Sequence, residues 1–278
     1  MSRNNLDRMG ASDKNIDAPK TDILQFVTPT EFVELPSRGM AYKEGHPLHN
    51  KEVIEIRYMT AKDEDILTSQ SLLKKGLAVD RFLQNILVDK SIDVRELVVG
   101  DRNAIIVAAR CSGYGNTYDT QVSCPACSEK SNMSFDLENK KITEPLISEE
   151  LGITKTEKGT FNVTMPMSKY KVEIKLLTGK DELYLSKLTA SKKKNRIQES
   201  TMTDQYKLMI LSVEGHSART IIDQYVDLMP TRDSRYLRKV YKAVSPNIEI
   251  KQAFTCGSCG HEQELEVPFG ADFFWPER

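Results

Sequence analysis

The amino-acid sequence predicts an α+β fold, and three observations carry that prediction. Apolar residues recur with helical spacing in residues 60–110, and they alternate with polar residues in strand fashion near residues 113–140 and 246–267. Two Cys-x-x-Cys pairs lie within the strand-rich parts. The predicted organisation is a flexible tail (1–25), an N-terminal strand and helical unit (26–112), a split unit (113–140 and 246–278), and an insertion with a β-hairpin and helices (141–245).

Composition and charge exclude several classes of protein. Of the 278 residues, 39% are hydrophobic and 28% are charged, so the chain is not a disordered or fibrous polymer. A formal charge of −1 provides no overall attraction to nucleic acid or to an anionic membrane. The N-terminus lacks the apolar region of a signal peptide, and no apolar run reaches the length of a membrane span. We therefore expect a protein without a membrane span, made and kept in a cytoplasm.

The N-terminal unit is predicted to contain short strands and turns in residues 26–58, followed by three helices. In residues 53–58 the alternation predicts a half-buried strand with Ile54, Ile56 and Tyr58 on one face. Thr60 is a suitable N-cap for a helix that runs to a stop at Gly76. A second helix follows in residues 79–87, and residues 102–110 are apolar on nearly all sides, as in a buried helix that ends before Gly113.

The remainder alternates between strands and helices. Strands are expected on both sides of each cysteine pair, with residues 247–256 as one strand, and a β-hairpin is expected in residues 160–177. Four helices are expected between the hairpin and the second cysteine pair, over residues 178–188, 204–213, 218–228 and 231–243. The basic run at residues 192–196 is expected to be an exposed loop.

The two cysteine pairs indicate a structural metal. Cys124, Cys127, Cys256 and Cys259 have the spacing with which two tight turns present four thiolates to one tetrahedral Zn²⁺. The 255 − 127 = 128 intervening residues exceed the roughly 15 to 20 of an ordinary zinc ribbon, so we expect a split Cys₄ zinc ribbon that carries a helical insertion. A redox dithiol and pairs that bind nothing are the alternatives. Cys111 is expected to be a core thiol, and His261 a surface residue.

Two further groups of residues are candidates for binding a partner. Arg232, Arg235, Lys239 and Lys242 share one face of the last predicted helix, where they form a solvated surface, contact an acidic protein, or bind nucleic acid. The aromatic residues Phe273, Phe274 and Trp275 close to the C-terminus either dock on a partner or lie in the core of the chain.

No catalytic arrangement is visible in the sequence. The four histidines lack an obvious neighbouring nucleophile or further metal-ligand spacing, and neither a GxGxxG nor a Walker-type phosphate-binding motif occurs. We therefore expect a protein that is not an enzyme.

Several segments, taken in order, resemble one family. They are LPSRGMAY and HPL within residues 35–48, MTAKDEDIL (59–67), LVVGDRNAIIVAARCSGYG (97–115), CPAC and CGSCGH. In this order they resemble the baseplate hub family of T-even-like contractile-tailed bacteriophages. The resemblance implies a non-enzymatic protein, made in the cytoplasm of the infected host, that binds other baseplate or tail hub proteins and acts in hub assembly or stays in the virion baseplate.

The leading hypothesis from the sequence is thus a structural or assembly protein stabilised by zinc, in which an N-terminal helical unit is joined to the split ribbon. The alternative is a zinc-ribbon protein that binds nucleic acid through the basic helix at residues 231–243.

Overall fold

The computed structural model describes residues 28–148, 152–198, 200–267 and 271–274. Both the expected flexible tail (1–25) and Trp275 lie outside the described residues. In the described residues helices and strands are mixed along the chain, so the predicted α+β class is confirmed.

The N-terminal unit begins with two antiparallel strands, β1 (Thr30–Glu34) and β2 (Val53–Arg57), in which Val33 lies opposite Ile54. Ile54 and Ile56 are buried and Val53 is exposed, as expected of a half-buried strand, but Tyr58, predicted on the same face as the two isoleucines, follows the strand and is 37% exposed. The helices of this unit are α1 (Ala61–Thr68), α2 (Gln70–Lys75), α3 (Ala78–Ile86) and α4 (Val99–Tyr114).

The helix predicted from Thr60 to Gly76 is interrupted. Ser69 has ψ 109°, which is an extended conformation, and it separates α1 from α2. The two ends of the prediction hold, because Thr60 is the N-cap of α1 and Gly76 ends α2 with φ 67°. The sequence around Ser69 has no proline or glycine, so no strong helix breaker marks the interruption.

Helix α4 is longer than predicted and lies at the centre of the molecule. It extends through Gly113, because Gly115 and not Gly113 provides the residue with positive φ at its end. Near its start, a Cβ atom on Gly100 would lie only 1.9 Å from the carbonyl oxygen of Pro246. A glycine at this position therefore lets the helix pack directly against the chain that leads to the second cysteine pair.

Each cysteine pair lies in the turn of an antiparallel hairpin. The first hairpin consists of β3 (Thr117–Ser123) and β4 (Lys130–Asp136), and the second of β11 (Lys251–Thr255) and β12 (Glu262–Glu266). The single strand predicted over residues 247–256 is in fact two strands. Its first part, β10 (Asn247–Glu249), pairs instead with β5 (Lys141–Thr143), so the chain segments next to the two hairpins are joined side by side.

The region between β5 and β10 contains a sheet and four helices. The sheet has the order β6 (Ile153–Lys155), β7 (Phe161–Thr164), β8 (Lys171–Ile174) and β9 (Ile210–Val213), and all its neighbours are antiparallel. The helices are α5 (Gly179–Lys194), α6 (Thr201–Met209), α7 (Arg219–Leu228) and α8 (Thr231–Val244).

Two predictions in this region were wrong. The helix expected over residues 204–213 ends at Met209, and Ile210–Val213 forms β9, because β8 offers it an edge to pair with. The basic run expected to be a loop from residue 192 belongs to α5 as far as Lys194. Lys192 is partly buried there and forms an ion pair with Asp204.

Two of the segments that carry the family resemblance, residues 35–48 and 97–115, meet in one buried network. Asp101 of α4 accepts hydrogen bonds from the backbone N–H of Ser37 (2.9 Å), from the Ser37 hydroxyl (2.5 Å) and from the Tyr42 hydroxyl (2.7 Å). The Tyr42 oxygen in turn accepts from the backbone N–H of Val98. Since Asp101 is fully buried, these donors stabilise a carboxyl group that water cannot reach.

None of the helices in the described residues is both long enough and apolar enough to cross a bilayer.

Candidate metal centre

The two cysteine turns have the same backbone conformation. In the first, Ser128 N–H donates to Cys124 O and Cys124 N–H donates to Glu129 O, both at 2.8 Å. In the second, Gly260 N–H donates to Cys256 O and Cys256 N–H donates to His261 O, both at 2.9 Å. The fifth residue of each turn has a positive φ, 61° at Ser128 and 69° at Gly260.

This repeated turn brings all four sulfur atoms together. The Sγ atoms of Cys124 and Cys259 are 3.7 Å apart, those of Cys127 and Cys256 are also 3.7 Å apart, and all four lie within 4.8 Å of one another. A disulfide needs sulfurs at about 2.05 Å, and all four cysteines are free. Four ligands at the usual Zn–S distance of about 2.3 Å form a tetrahedron with edges of about 3.8 Å, so the donor set fits a tetrahedral metal ion.

The two cysteines of each turn differ in exposure. The leading residues Cys124 and Cys256 are only 1% and 2% exposed, whereas Cys127 and Cys259 lie at the surface. Backbone N–H groups of Cys259 and Ser258 donate towards Cys256 and lower the pKa of its thiol to about 6. At Cys127 the N–H of Glu129 acts in the same direction, but hydrogen bonds with the other sulfurs outweigh it and raise the pKa to about 12. Because neighbouring thiolates repel one another, a divalent cation bound between them would stabilise the cluster.

The hairpins also contact each other through one side-chain amide. The side-chain amide of Gln252 in β11 accepts from the backbone N–H of Asp136 at 3.1 Å and donates to the carbonyl oxygen of Ser134 at 2.8 Å. It therefore bonds to the backbone of β4 as a neighbouring strand would. Beneath the turns, Val122 and Phe254 are buried. These contacts fix the orientation of the hairpins so that the two turns face each other.

The other two residues considered with the cluster are not part of it. A ring nitrogen of His261 lies 3.2 Å from the side-chain oxygen of Gln263, and only the backbone carbonyl of His261 supports the second turn. Cys111 in α4 is half-buried, and burial raises the pKa of its thiol. Within the described residues, the one group of ligating side chains close enough to hold a metal ion is the four cysteines named above.

The basic residues of the last helix lie where the pattern places them. Arg232, Arg235, Lys239 and Lys242 are all exposed on α8, and among the described residues no carboxylate forms an ion pair with them. The opposite side of α8 is buried through Leu237, among others. Whether this basic face binds a partner stays a prediction.

Two of the C-terminal aromatic residues, Phe273 and Phe274, lie in the core of the chain and not at a docking surface. Phe273 and Phe274 are 1% and 3% exposed, so these candidate partner-binding residues belong to the core of the chain. The Phe273 ring meets Tyr118 edge-on at 5.0 Å and the Phe274 ring meets Phe82 at 5.2 Å. Aromatic side chains of this size favour burial wherever the chain can reach a cavity in its own core.

One residue that the sequence did not single out holds this C-terminal segment in place. Arg110 of α4 is only 1% exposed and donates to three carbonyl oxygens, those of Phe273 (3.0 Å), Gly115 (3.0 Å) and Thr117 (3.1 Å). Its guanidinium also lies over the ring of Tyr114 at 5.0 Å. The sequence does show a charged residue at the end of an apolar segment, which indicates a special role for Arg110. It does not show the partner, because Phe273 is 163 residues away.

The sequence of the chain matches one known protein family. A family model described as "T4 bacteriophage base plate protein" matches residues 30–275, which include all four cysteines and most of the chain. No curated protein and no solved structure matches the chain. Because the family match covers far more than half of the 278 residues, the chain belongs to the family of T4 bacteriophage base plate proteins.

Proposed function

We propose that the chain is a non-enzymatic structural or assembly component of the hub of a contractile phage tail baseplate, and that a structural Zn²⁺ stabilises its fold. In this proposal the protein is made in the cytoplasm of the infected host and binds other baseplate or tail hub proteins. Membership of the baseplate family supports the tail location. The hub role rests on the sequence resemblance alone.

The observation that carries the zinc proposal is the distance between sulfur atoms in opposite turns, 3.7 Å in both cases. When bound, zinc held by four thiolates cross-links the two hairpins and has no open position for a catalytic water. Cys124, Cys127, Cys256 and Cys259 would be its ligands. The pairing of β5 with β10 supports the split-ribbon interpretation, because it brings the two ends of the intervening region together at the base of the hairpins.

The buried ionisable groups support a structural role over an enzymatic one. Asp63 accepts hydrogen bonds from Arg57, Thr60 and Asn85, and Asp233 accepts from the backbone N–H groups of Met167 and Ser168. Each of these carboxylates fixes one segment of backbone against another. Both side chains are also completely buried, so neither lies within reach of a substrate.

Two measurements test the proposal. Metal analysis of the purified, reduced protein should find about one zinc per chain. Mass spectrometry of purified tails and of baseplate assembly intermediates should find the chain in at least one of the two. A folded, reduced sample without metal would contradict the zinc site, and absence from both particle preparations would contradict the baseplate role.

The alternative of nucleic-acid binding is favoured by one observation, the exposed basic face of α8. Its test is binding to random-sequence duplex DNA at several salt concentrations, since phosphate contacts make affinity fall steeply with salt. Salt-dependent binding that is lost in Arg235→Ala/Lys239→Ala protein would replace the structural proposal with this one.

A further inference from the structure

A groove of about 540 Å³ lies beside the first turn of α8. Its rim carries apolar side chains that are unusually exposed: Tyr170 at 47%, Ile221 at 39% and Leu228 at 82%. Leu228 is the last residue of α7 and Tyr170 lies just before β8, so the groove separates the end of a helix from the tip of a hairpin. Neighbouring apolar side chains with such exposure mark surfaces that bind another molecule.

Two hydroxyl groups lie in the floor of the groove. The Tyr225 hydroxyl interacts with that of Ser168, and the Ser168 hydroxyl interacts with the Asp233 carboxylate, in each case without the geometry of a full hydrogen bond. Tyr225 is 9% exposed, and its ring packs against Tyr170 with 5.9 Å between centroids. Hydroxyls held by such weak contacts can also form hydrogen bonds with the backbone of a bound segment.

The groove lies at the N-terminal end of α8, the helix that carries the basic face. Pro230 lines the groove, Thr231 begins α8, and Asp233 holds the hairpin tip against this helix by accepting from Met167 N–H (2.7 Å) and Ser168 N–H (2.9 Å). Arg232 therefore lies two residues from the groove wall. From Arg232 to Lys242 the basic face extends along the helix for about 15 Å at 1.5 Å per residue.

The charges around this surface favour an acidic occupant. Glu214 in the groove wall keeps its negative charge and accepts from the backbone N–H of Lys171, and Asp227 is paired with Lys207, so the excess of positive charge lies on α8 and not in the groove. In contrast, no ion pair is found among the described residues for Lys169 at the hairpin tip or for Arg232 on α8, and both are exposed. Unpaired cations next to an apolar groove complement a segment that combines an apolar side chain with carboxylates.

We propose that the groove and the basic face form one docking surface for an acidic segment of another protein chain. An apolar side chain of that segment enters the groove between Tyr170 and Leu228, and its carboxylates lie along Arg232, Arg235, Lys239 and Lys242. This inference builds on the proposed function, since it defines the chemistry of a baseplate partner. It is nevertheless tested without phage particles, so its failure can be told apart from failure of the baseplate role.

The test uses the full chain and three fluorescent peptides in an anisotropy titration. The first peptide has two leucines at one end, for the groove, followed by a stretch of glutamates long enough to reach from Arg232 to Lys242. In the second the leucines are serines, and in the third the glutamates are lysines. The first should bind at least about tenfold more tightly than the other two, because each of them lacks one half of the complementarity.

Substitutions locate the binding on the protein. Leu228→Ser and the pair Arg235→Ala/Lys239→Ala should each weaken binding of the first peptide about tenfold. The matched controls are Phe32→Ser, an equally exposed apolar residue in β1, and Lys74→Ala/Lys75→Ala in α2, and both should leave the affinity unchanged.

Several outcomes would overturn the proposal. Equal binding of the leucine and serine peptides would exclude the groove, and equal binding of the lysine peptide would exclude the charge complementarity. Tighter binding of random duplex DNA than of any peptide, lost in Arg235→Ala/Lys239→Ala, would assign the basic face to nucleic acid. Sedimentation that shows a dimer, lost in Leu228→Ser, would assign the groove to a second copy of the chain.

Discussion

In the N-terminal unit Ile56, Phe82 and Leu83 are completely buried, whereas in the second cysteine hairpin most side chains of β11 and β12 are exposed. The first region contributes many buried apolar side chains to the core, and each stabilises the fold by roughly 25 cal/mol per Å² removed from water. The second contributes few, and its turn holds two of the four clustered thiols. If zinc binds as we propose, one chain relies on apolar packing in one part and on metal ligation in another.

Removing two thiols is expected to give the largest effect. The double substitution Cys124→Ser/Cys256→Ser deletes the buried sulfur of each turn, and structural zinc sites contribute about 10 to 16 kcal/mol of apparent binding free energy. Both hairpins should then lose hydrogen-exchange protection, and zinc should be absent from the protein. Cys111→Ser is the control, because that thiol lies outside the cluster and its loss should change neither measurement. Unchanged thermal stability of the double variant would refute the dependence on ligand chemistry.

A substitution in the N-terminal core should lower the stability of the protein whether or not metal is present. Phe82→Ala removes a fully buried ring and is expected to cost about 3 to 5 kcal/mol in the free energy of unfolding. The loss should appear in urea unfolding both with and without a chelator, because it comes from packing. The ring of Phe82 also contacts Phe274, so a loss of zinc in this variant would show that the two regions are coupled through the C-terminal segment.

The buried network of Asp101 permits a sharper test of the same unit. Asp101→Ala leaves the Ser37 N–H, the Ser37 hydroxyl and the Tyr42 hydroxyl without their acceptor, which should cost about 3 kcal/mol. Chemical denaturation measures the loss. In the Ser37→Ala background the Asp101→Ala substitution should cost less, since one donor has already been removed. Additive losses would indicate that the hydrogen bonds are not what matters.

The smallest expected effect is a dependence on pH through Asp63. Burial alone would raise the pKa of this carboxyl, but hydrogen bonds from Arg57, Thr60 and Asn85 outweigh it and lower the pKa to about 2. Because the folded pKa lies below the unfolded value of about 3.9, the stabilisation is present above pH 4 and is lost as the pH falls towards 2.

The loss should amount to about 2 kcal/mol, measured as the difference in unfolding free energy between pH 5 and pH 2. Asp63→Asn is the matched control, because it keeps the shape of the side chain but cannot titrate. An equally steep decline in this variant would assign the acid sensitivity to other carboxylates.

Local signals in the sequence were enough to predict several elements. The spacing of apolar residues predicted α3, the glycine at position 76 predicted the end of α2, and the spacing of cysteines predicted which four side chains meet. In each case the cause lies within a few residues of the effect. The cysteine cluster follows this rule only in part. Each turn forms from consecutive residues, but the contact between the two turns joins residues that are far apart in the sequence.

The elements that could not be predicted depend on distant partners. Residues 210–213 are apolar except for Ser212 and suit a buried helix or a strand equally, and the free edge of β8 decides the outcome. Arg110 and Phe273 are 163 residues apart, and Ser37 and Asp101 are 64 residues apart. No pattern within either neighbourhood carries information about the other, so their contact was visible only in the structure.

The long separation of the cysteine pairs has a consequence for the timing of folding. At a synthesis rate of roughly 5 to 20 residues per second, the 128 residues between Cys127 and Cys256 take about 6 to 26 s to be translated. Throughout that interval Cys124 and Cys127 have been made and their partners have not. During synthesis the first turn therefore carries only two of the four thiols, and these two are open to oxidation or to another metal ion. The cluster can form only when the last tenth of the chain has been made.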